Sequence, residues 1–475
     1  MNTRNLIGGT WLEPSPGRGL EVRDPARDHV VAVVPDVGVG ETIEAIDAAE
    51  RALEGWAGTS AGTRASILRR LAVLLDERRD QLAHLITLEQ GKPLAESQAE
   101  VSYAASFLPV AADAATALSP DFPRVPARSV TVHQRPVGVT AAITPWNFPL
   151  AMLAKKSASA LAVGCTQIIK PAEQTPLSAI AFVELAREAG IPPGVINLVT
   201  GHPEPIGRTL LEDGRVRKLS FTGSTEVGRI LMRGAAEELV RLSLELGGHA
   251  PFLVFEDADL DRAVSMALTA KFRNGGQTCV CPNRFLVHRN RHDDFVERLA
   301  AAATALTSGP GDREGVDLGP LIDDAGLRKV ESHVRDAVDR GADLVCGGGR
   351  RVVEGFTDRF PEPTVLTSIS REMRCWTEET FGPVCPVRAF ADDDEAIRLA
   401  NDSKHGLAAY AVTTDRSRID RLGRELNAGI IGVNDAIPAV AAVPFGGIGH
   451  SGFGREGGRW GLAEYLETIT VSEAD

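Results

Sequence analysis

The chain has 475 residues, 43% of them hydrophobic and 24% charged, a composition that excludes a disordered protein and a length that predicts at least two domains. With 64 acidic residues against 51 Lys and Arg residues, the net charge is −13, which argues against a nucleic-acid partner. The sequence shows no signal-peptide pattern and no apolar run long enough to span a membrane, and its six cysteines do not form a disulfide framework. We therefore predict a cytoplasmic protein with no membrane partner.

The first third of the chain is predicted to be rich in helices. Apolar residues recur at helical spacing in residues 41–56 and again in residues 60–90. Gly91 and Pro93 end the second pattern. A cluster of prolines in residues 120–126 then precedes a short predicted strand at 129–133.

From Val137 onward, predicted strands alternate with predicted helices. The strands are expected at 137–143, 166–170, 195–199 and 216–221, and the helices at 150–163, 176–189 and 225–235. Parallel strands require crossover helices of this kind. A second alternating series runs from Pro251 to about Asn434, and a Gly-Gly pair at 247–248 separates the two series. The sequence therefore predicts an α/β fold with two α/β domains.

Cys279 is the candidate nucleophile. It follows the stretch Asn274–Thr278, in which two glycines allow a sharp turn that can present the sulfur to a cleft. The general alternative is a buried, inert cysteine. Cys279 and Cys281 could also supply two zinc ligands, but no other cysteine has the paired spacing of a zinc site, so we predict no metal.

Other segments place polar side chains at predicted strand ends or in a rigid loop. Glu245 ends an apolar run just before two glycines, where a carboxylate is either salt-bridged or a base with a shifted pKa. Residues 221–228 follow a strand and open a helix whose N-terminus suits an anion. Lys170 and Glu173 follow another strand and could hold ribose hydroxyls. Asn147 lies between two prolines, which fix its amide as a possible oxyanion donor.

Together these segments resemble the aldehyde dehydrogenase superfamily over nearly the whole chain. The resemblance rests on seven motifs in order: residues 145–149, 170–176, 221–228, 244–248, 276–279, 378–383 and 444–454. Residues 271–287 are most similar to the succinate-semialdehyde dehydrogenase branch. The resemblance implies three units: a variant Rossmann cofactor domain (1–120 and 139–247), an α/β catalytic domain (248–444) and a small β oligomerisation flap (121–138 and 459–475).

The resemblance also implies an activity, the NAD-dependent oxidation of an aldehyde to a carboxylic acid through a thiohemiacetal and a thioester on Cys279. Glu245 would be the general base, and Asn147 would stabilise the oxyanion. The cofactor would be held by a larger set of residues: Ile143, Trp146, Lys170, Glu173, Gly223, Ser224, Leu246, Glu379 and Phe381. Because Glu173 would repel a 2′-phosphate, NAD is expected to be preferred over NADP.

The substrate is expected to be a semialdehyde such as succinate semialdehyde. The branch binds a substrate carboxylate with two arginines and a serine. Here Arg273 matches one arginine, Lys155 stands at the place of the other, and Ala439 replaces the serine. Selectivity should therefore rest mainly on Arg273, because Lys155 offers a point charge rather than a planar fork. A broad-specificity enzyme for uncharged aldehydes is the alternative.

Two further readings compete with this one. An acylating relative that transfers the acyl group to coenzyme A would not need Glu245, and a binding protein on an inactive fold would not need Cys279. A homodimer or homotetramer is expected. Because Cys281 lies two residues from the nucleophile, oxidation is also predicted to join the two sulfurs in a strained disulfide.

Overall fold

The computed structural model describes residues 1–15, 17 and 19–474. In chain order the helices are α1 (Val39–Gly58), α2 (Ala61–Glu77), α3 (Arg79–Gln90), α4 (Leu94–Thr116), α5 (Pro149–Val163), α6 (Leu177–Ala189), α7 (Pro203–Glu212), α8 (Thr225–Gly234), α9 (Leu260–Phe272), α10 (His292–Thr304), α11 (Asp324–Asp339), α12 (Arg374–Thr377), α13 (Asp393–Ala400), α14 (Arg416–Glu425) and α15 (Gly458–Ala463). Within the described residues, none of these helices has both the length and the apolar character needed to cross a membrane.

The strands, in chain order, are β1 (Asn5–Ile7), β2 (Thr10–Leu12), β3 (Gly19–Arg23), β4 (Val30–Pro35), β5 (Arg128–Pro136), β6 (Val139–Ile143), β7 (Thr166–Lys170), β8 (Ile196–Leu198), β9 (Val216–Thr222), β10 (Arg241–Glu245), β11 (Ala250–Val254), β12 (Pro282–His288), β13 (Asp343–Cys346), β14 (Thr364–Thr367), β15 (Val384–Phe390), β16 (His405–Gly406), β17 (Ala408–Val412), β18 (Ile430–Val433), β19 (Ile448–Gly449), β20 (Gly452–Phe453) and β21 (Leu466–Ala474).

The first large sheet has the strand order β2-β1-β8-β7-β6-β9-β10-β20. The five central strands, in sheet order β8, β7, β6, β9 and β10, are parallel. Antiparallel strands lie at both edges, β1 and β2 on one side and β20 on the other. Strands β6 and β7 are buried at every position, as a sheet covered on both faces requires. Ile143 pairs with Lys170, and Thr222 pairs with Glu245. These four residues therefore share the carboxyl edge, where open α/β sheets bind ligands.

The second large sheet has the order β13-β14-β15-β12-β11-β17-β18. All neighbouring strands in it are parallel except the edge strand β13. The two sheets correspond to the two alternating series of the sequence, so the α/β fold class is confirmed. The domain boundaries inferred from the resemblance stay a prediction.

A separate two-stranded antiparallel ribbon is formed by β5 and β21, each 9 residues long. Its register runs from Leu466 opposite Pro136 to Ala474 opposite Arg128. Most of its residues are exposed, and they lie on both faces of the ribbon. Because an isolated two-stranded sheet is only marginally stable in water, the ribbon suits the predicted oligomerisation flap. The oligomeric state stays a prediction.

Several elements differ from the sequence-based expectations. The helix predicted over residues 60–90 is two helices, because Arg78 leaves the helical conformation at φ −100° and ψ 13°. The apolar spacing continues through this break, so periodicity alone does not reveal it. Helix α7 and the strands β1 to β4 were missed. Strands β1 and β2 have 3 residues each, and β1 reaches the main sheet only through β8, far away in the sequence.

Arg64 joins the ends of two helices inside the first core. Its side chain donates hydrogen bonds to the carbonyl groups of Trp56 and Ala57 at 3.3 Å, of Thr59, and of Ala162 at 2.9 Å. These carbonyls lie at the C-terminal ends of α1 and α5, where helical N–H donors are no longer available; the Trp56 carbonyl also accepts the Thr59 N–H at 3.1 Å. Burial lowers the pKa of Arg64.

We expect Arg64→Met to reduce the free energy of unfolding by about 1–3 kcal/mol, because it leaves buried carbonyls without donors. The midpoint of urea unfolding, compared at one protein concentration, measures the change. The matched control is Arg69→Met, which removes a 48% exposed side chain paired with Asp113 and should change the value by less than about 0.5 kcal/mol. Equal shifts in the two variants would contradict the role of Arg64.

Candidate active site

A cavity of about 620 Å³ collects most of the predicted site residues. Its lining includes Cys279, Asn147, Arg273, Trp146, Gly223, Ser224, Leu246, Glu379 and Phe381. The remaining predicted residues, Ile143, Lys155, Lys170, Glu173 and Glu245, are not part of this lining. Residues that follow strands of both large sheets contribute to it, so the cavity lies where the two sheets meet.

The turn before Cys279 is unusually tight. A short 3₁₀ helix, Arg273–Gly276, follows α9, and Asn274, Gly275 and Gly276 have φ values of 54°, 61° and 77°. Such left-handed conformations favour glycine, which explains the sequence of the turn. The turn is also closely packed, because a Cβ atom on Gly248 would lie 2.0 Å from the carbonyl oxygen of Cys279.

The Cys279 thiol is held in its protonated form. Its pKa is raised to about 12, mainly by burial; Glu379 and Glu245 also raise the pKa, while the charges of Lys155 and Arg273 lower it. At neutral pH the sulfur is therefore a thiol rather than a thiolate. Nucleophilic attack at this site requires that the thiol lose its proton to a base.

The side chain of Asn147 is fixed beside this turn. Its Nδ2 atom donates to the carbonyl oxygen of Gln277 at 3.0 Å. Its own main-chain oxygen accepts hydrogen bonds from Lys92 Nζ at 2.7 Å and from Asn274 Nδ2 at 3.0 Å. A side-chain amide has two N–H hydrogens, so the second one can serve an oxyanion in the cavity.

Glu245 ends β10 as a buried carboxyl group. Neither of its oxygens has a hydrogen-bond partner within the part of the chain that the structure describes. Burial and the nearby Glu456 carboxylate raise the pKa of Glu245 well above its usual value, and Lys155 and Lys156 offset part of this effect. A buried, unpartnered carboxyl with a raised pKa is more typical of a functional group than of a structural one.

Lys155 does not reach the cavity, because a carboxylate already holds it. Its ammonium lies 2.7 Å from Glu456 Oε2 and 3.6 Å from the centre of the Phe445 ring. Lys156 contacts the other oxygen of Glu456 at 2.6 Å. The structure therefore does not place Lys155 in the cavity lining, where it was predicted to contact a substrate carboxylate. Glu456 was missed because 300 residues separate it from Lys156.

Arg273, in contrast, has a free charge at the cavity. Its guanidinium lies 5.5 Å from the centre of the Phe148 ring, and its buried Nε atom has no hydrogen-bond partner. It forms no ion pair with any carboxylate of the described residues. Glu96 also lines the cavity and accepts the Asn274 N–H at 2.7 Å; burial raises its pKa to about 7. Ala439 lines the same cavity and adds no polar group.

Groups that suit a nucleotide cofactor line another part of the cavity. The buried Thr222 hydroxyl has no hydrogen-bond partner among the residues that the structure describes, and Ser224 caps the N-terminus of α8. Glu379 accepts the Gly248 N–H at 2.9 Å, and burial raises its pKa to about 7. The rings of Trp146 and Phe381 meet edge to face with centres 5.5 Å apart. A free hydroxyl, a helix N-terminus and a carboxyl group fit phosphate and ribose.

Lys170 and Glu173 form an ion pair with each other. The Lys170 ammonium also donates to the carbonyl oxygen of Pro171 at 3.0 Å. Lys170 is buried, whereas the Glu173 side chain is 32% exposed. The negative charge of Glu173 is therefore balanced within the protein.

Cys281 is directed away from the cavity. Its thiol donates to the main-chain oxygen of Lys271 at 3.4 Å, and it is not among the cavity-lining residues. Across the described residues, no cluster of His, Cys, Asp and Glu could hold a metal ion. The Cys279–Cys281 disulfide stays a prediction.

Comparisons with known proteins bear on the identity of this site. The profile of the Aldehyde dehydrogenase family matches residues 11–471. The chain is 49% identical to succinate-semialdehyde dehydrogenase (NADP(+)) of Escherichia coli, over 97% of this chain and 96% of that protein. It is 48% identical to glutarate-semialdehyde dehydrogenase of Pseudomonas putida, over 97% and 95% of the two chains. The crystal structure of succinate-semialdehyde dehydrogenase from Burkholderia pseudomallei superposes with a TM-score of 0.98 at 46% identity, covering 100% of this chain and 98% of that one.

The chain belongs to the aldehyde dehydrogenase family. The resemblance stated from the motifs is confirmed, including its similarity to the succinate-semialdehyde dehydrogenase branch. This aldehyde dehydrogenase is therefore an oxidoreductase that acts on aldehydes, and the two relatives from Escherichia coli and Pseudomonas putida are named as semialdehyde dehydrogenases.

The expected preference for NAD over NADP is wrong. The relative from Escherichia coli carries NADP(+) in its name. The expectation took Glu173 to be a free carboxylate that repels a 2′-phosphate. The ion pair with Lys170 removes that reason, because it neutralises the charge of Glu173.

We expect Gly248→Ala to reduce kcat/KM roughly 100-fold, since its methyl group displaces the Cys279 main chain and small displacements near reacting atoms have effects of this size. Steady-state kinetics with saturating cofactor measure the loss. Gly423→Ala is the control, because no atom lies within 4 Å of the Cβ position there. Wild-type kinetics in Gly248→Ala would show that the close contact does not position the nucleophile.

Proposed function

We propose that this aldehyde dehydrogenase oxidises an aldehyde with a carboxylate at its far end to the corresponding dicarboxylic acid, with NADP as the cofactor. One observation carries the proposal: Arg273 lines the same cavity as Cys279 and has no ion-pair partner among the described residues. The names of the relatives from Escherichia coli and Pseudomonas putida support a short semialdehyde as the substrate.

In the proposed reaction, the Cys279 thiol first loses its proton to solvent water in the cavity. The thiolate sulfur then adds to the aldehyde carbon, and the carbonyl oxygen becomes an oxyanion. The free N–H of Asn147 and the main-chain N–H of Cys279 stabilise this oxyanion; removal of one such donor costs about 2.7–4 kcal/mol. The bound nicotinamide cofactor supplies a hydride acceptor. Trp146, Gly223, Ser224, Leu246, Glu379 and Phe381 would hold it in the cavity, with Ile143, Lys170 and Glu173 at the adjacent strand ends.

Loss of the hydride leaves a thioester on Cys279, and water must then release the acid. We assign the deprotonation of this water to Glu245, because a buried carboxyl with a raised pKa is a suitable base near neutral pH. Glu245 immediately precedes Leu246, which lines the cavity. An acylating enzyme would not need this base.

Glu245→Gln should still release one equivalent of NADPH in a rapid burst but turn over slowly, since only hydrolysis of the thioester is impaired. The pH profile provides a second readout. Because the pKa of Glu245 is raised, the wild type should lose kcat as the pH falls through that pKa and the carboxylate becomes protonated. This acidic limb should be absent in Glu245→Gln. Stopped-flow absorbance would refute the assignment if the folded variant showed no burst.

Arg273→Ala should lower kcat/KM for succinate semialdehyde roughly 10- to 100-fold, because a hydrogen bond to a charged group is worth about 1.5–3 kcal/mol. Activity with butanal, which has no carboxylate, should change little. Lys155→Met is the comparison: Lys155 is held by Glu456, so this variant should affect both substrates alike. A wild type that prefers butanal would contradict the proposed substrate class.

The proposed use of NADP is tested by comparing kcat/KM for NADP and NAD. Wild type should favour NADP. Lys170→Met should reduce the NADP value more than the NAD value, because Lys170 is the cation beside the expected adenosine ribose and a 2′-phosphate gains most from it. Glu173→Gln frees that ammonium and should shift the ratio further toward NADP. An unchanged ratio in both variants would place the 2′-phosphate elsewhere.

A further inference from the structure

We infer that Lys92 is a positioning residue for Asn147, and that the buried Lys92–Glu100 pair clamps the loop that presents the Asn147 amide to the cavity. This inference rests on the proposed role of Asn147 as an oxyanion donor. Neither Lys92 nor Glu100 was recognised as part of the site from the sequence.

The contact to the loop is direct. Lys92 Nζ donates to the main-chain oxygen of Asn147 at 2.7 Å and to Glu100 Oε2 at 2.6 Å. Both side chains of the ion pair are fully buried, with 0% exposure. The ammonium also lies 3.8 Å from the centre of the Phe148 ring, the residue after Asn147.

Glu100 holds the other end of the same loop. Its Oε1 atom accepts the main-chain N–H groups of Leu150 at 3.0 Å and Ala151 at 3.2 Å. These belong to the first turn of α5, where the helix dipole favours a carboxylate. One ion pair thus fixes residue 147 through the lysine and residues 150 and 151 through the glutamate, and few rotations of the loop remain.

The main chain around Lys92 is closely packed. A Cβ atom on Gly311 would lie 2.3 Å from the Lys92 carbonyl oxygen, and one on Gly319 would lie 2.1 Å from that of Gly91. The segment 91–93 is therefore packed against the main chain of residues 311–319. The Lys92 N–H is in turn bound by Gln90 Oε1 at 3.0 Å.

Hydrogen bonds connect this segment to the turn before Cys279. Gln90 Nε2 donates to Asn274 Oδ1 at 2.9 Å, and Asn274 Nδ2 donates to the Asn147 oxygen at 3.0 Å. The Asn147 carbonyl thereby receives one donor from Lys92 and one from the turn that leads to Cys279. The distance between oxyanion donor and nucleophile depends on these two hydrogen bonds.

A structural role in stability alone accounts poorly for this arrangement. Buried ion pairs generally add little stability relative to apolar residues of the same size. The feature that an apolar pair could not reproduce is the set of directed hydrogen bonds to both ends of the Asn147 loop. Their loss should appear in the chemical step rather than in folding or in cofactor binding.

The test uses the double variant Lys92→Met/Glu100→Gln, which leaves no bare charge in the interior and so keeps the chain folded. The rate of the first-turnover NADPH burst is measured with whichever aldehyde the wild type uses best. We expect it to fall roughly 10- to 100-fold, the effect of an ångström-scale misplacement. Cofactor affinity, measured by fluorescence titration, should stay within a factor of about two of wild type.

Repeating the double variant in an Asn147→Ala background separates positioning from general damage. If Lys92 acts through Asn147, the two changes should be non-additive, and the double variant should cause little further loss there. A full additional loss in this background would overturn the inference. A normal burst in Asn147→Ala alone would instead overturn the proposed oxyanion role.

Arg64→Met serves as the matched control, since it also removes a buried cation that donates to main-chain carbonyls, but at the far end of α5. It should lower stability without slowing the burst. A burst as slow in Arg64→Met as in Lys92→Met/Glu100→Gln would assign the loss to destabilisation and reject a positioning role for Lys92.

Discussion

The parallel pairing of β7, β6, β9 and β10 is the constraint on which the rest of the site depends. Because the strands run in one direction, Lys170, Ile143, Thr222 and Glu245 end at one edge of the sheet. The position of the proposed base Glu245 and of several proposed cofactor-binding residues therefore follows from the strand register. The proposed nucleophile Cys279 lies just before β12 of the second sheet. The Gly248 main chain, which connects β10 of the first sheet to β11 of the second, packs directly against it.

Burial controls the protonation of this site. It raises the pKa of the Cys279 thiol and of the three carboxyl groups Glu96, Glu245 and Glu379. These groups therefore lose their protons at a higher pH than they would in water. Arg273 and Lys329 both line the cavity and form no ion pair with a carboxylate of the described residues, so a substrate carboxylate meets cations that no such group neutralises.

Local sequence predicted the parts of the site that short-range rules determine. The glycine-rich turn before Cys279 and the proline-bounded loop of Asn147 have conformations that their own residues impose. Nine of the fourteen residues predicted from the motif resemblance line one cavity, and their roles stay predictions. The break at Arg78 and the strands β1 and β2 were missed, because their signals are short or lie in distant partners.

Interactions between distant residues were beyond local rules for the same reason. The position of Lys155 depends on Glu456, and that of Asn147 on Lys92 and Glu100. Lys155 and Lys92 are buried charges, and the groups they hold, Glu456 and the Asn147 carbonyl, lie far from them in the sequence. A lysine in an apolar helix indicates that some partner must exist, since an unpaired buried ammonium is unfavourable, but it does not say which residue that partner is.

The two lysines that share Glu456 have a consequence for the movement of protons. With both ammonium groups charged, Lys155 and Lys156 balance the negative charges of Glu456 and of an ionised Glu245. The charges of these four groups then balance, and Arg455 adds a further positive charge that also lowers the pKa of Glu245, the proposed base. With one lysine, the same groups would carry one positive charge less in that state, and the low-dielectric interior would hold the proton on Glu245 more firmly. The second lysine thus lowers the pKa of Glu245, so that the proposed base is ionised at a lower pH than it would be with one lysine.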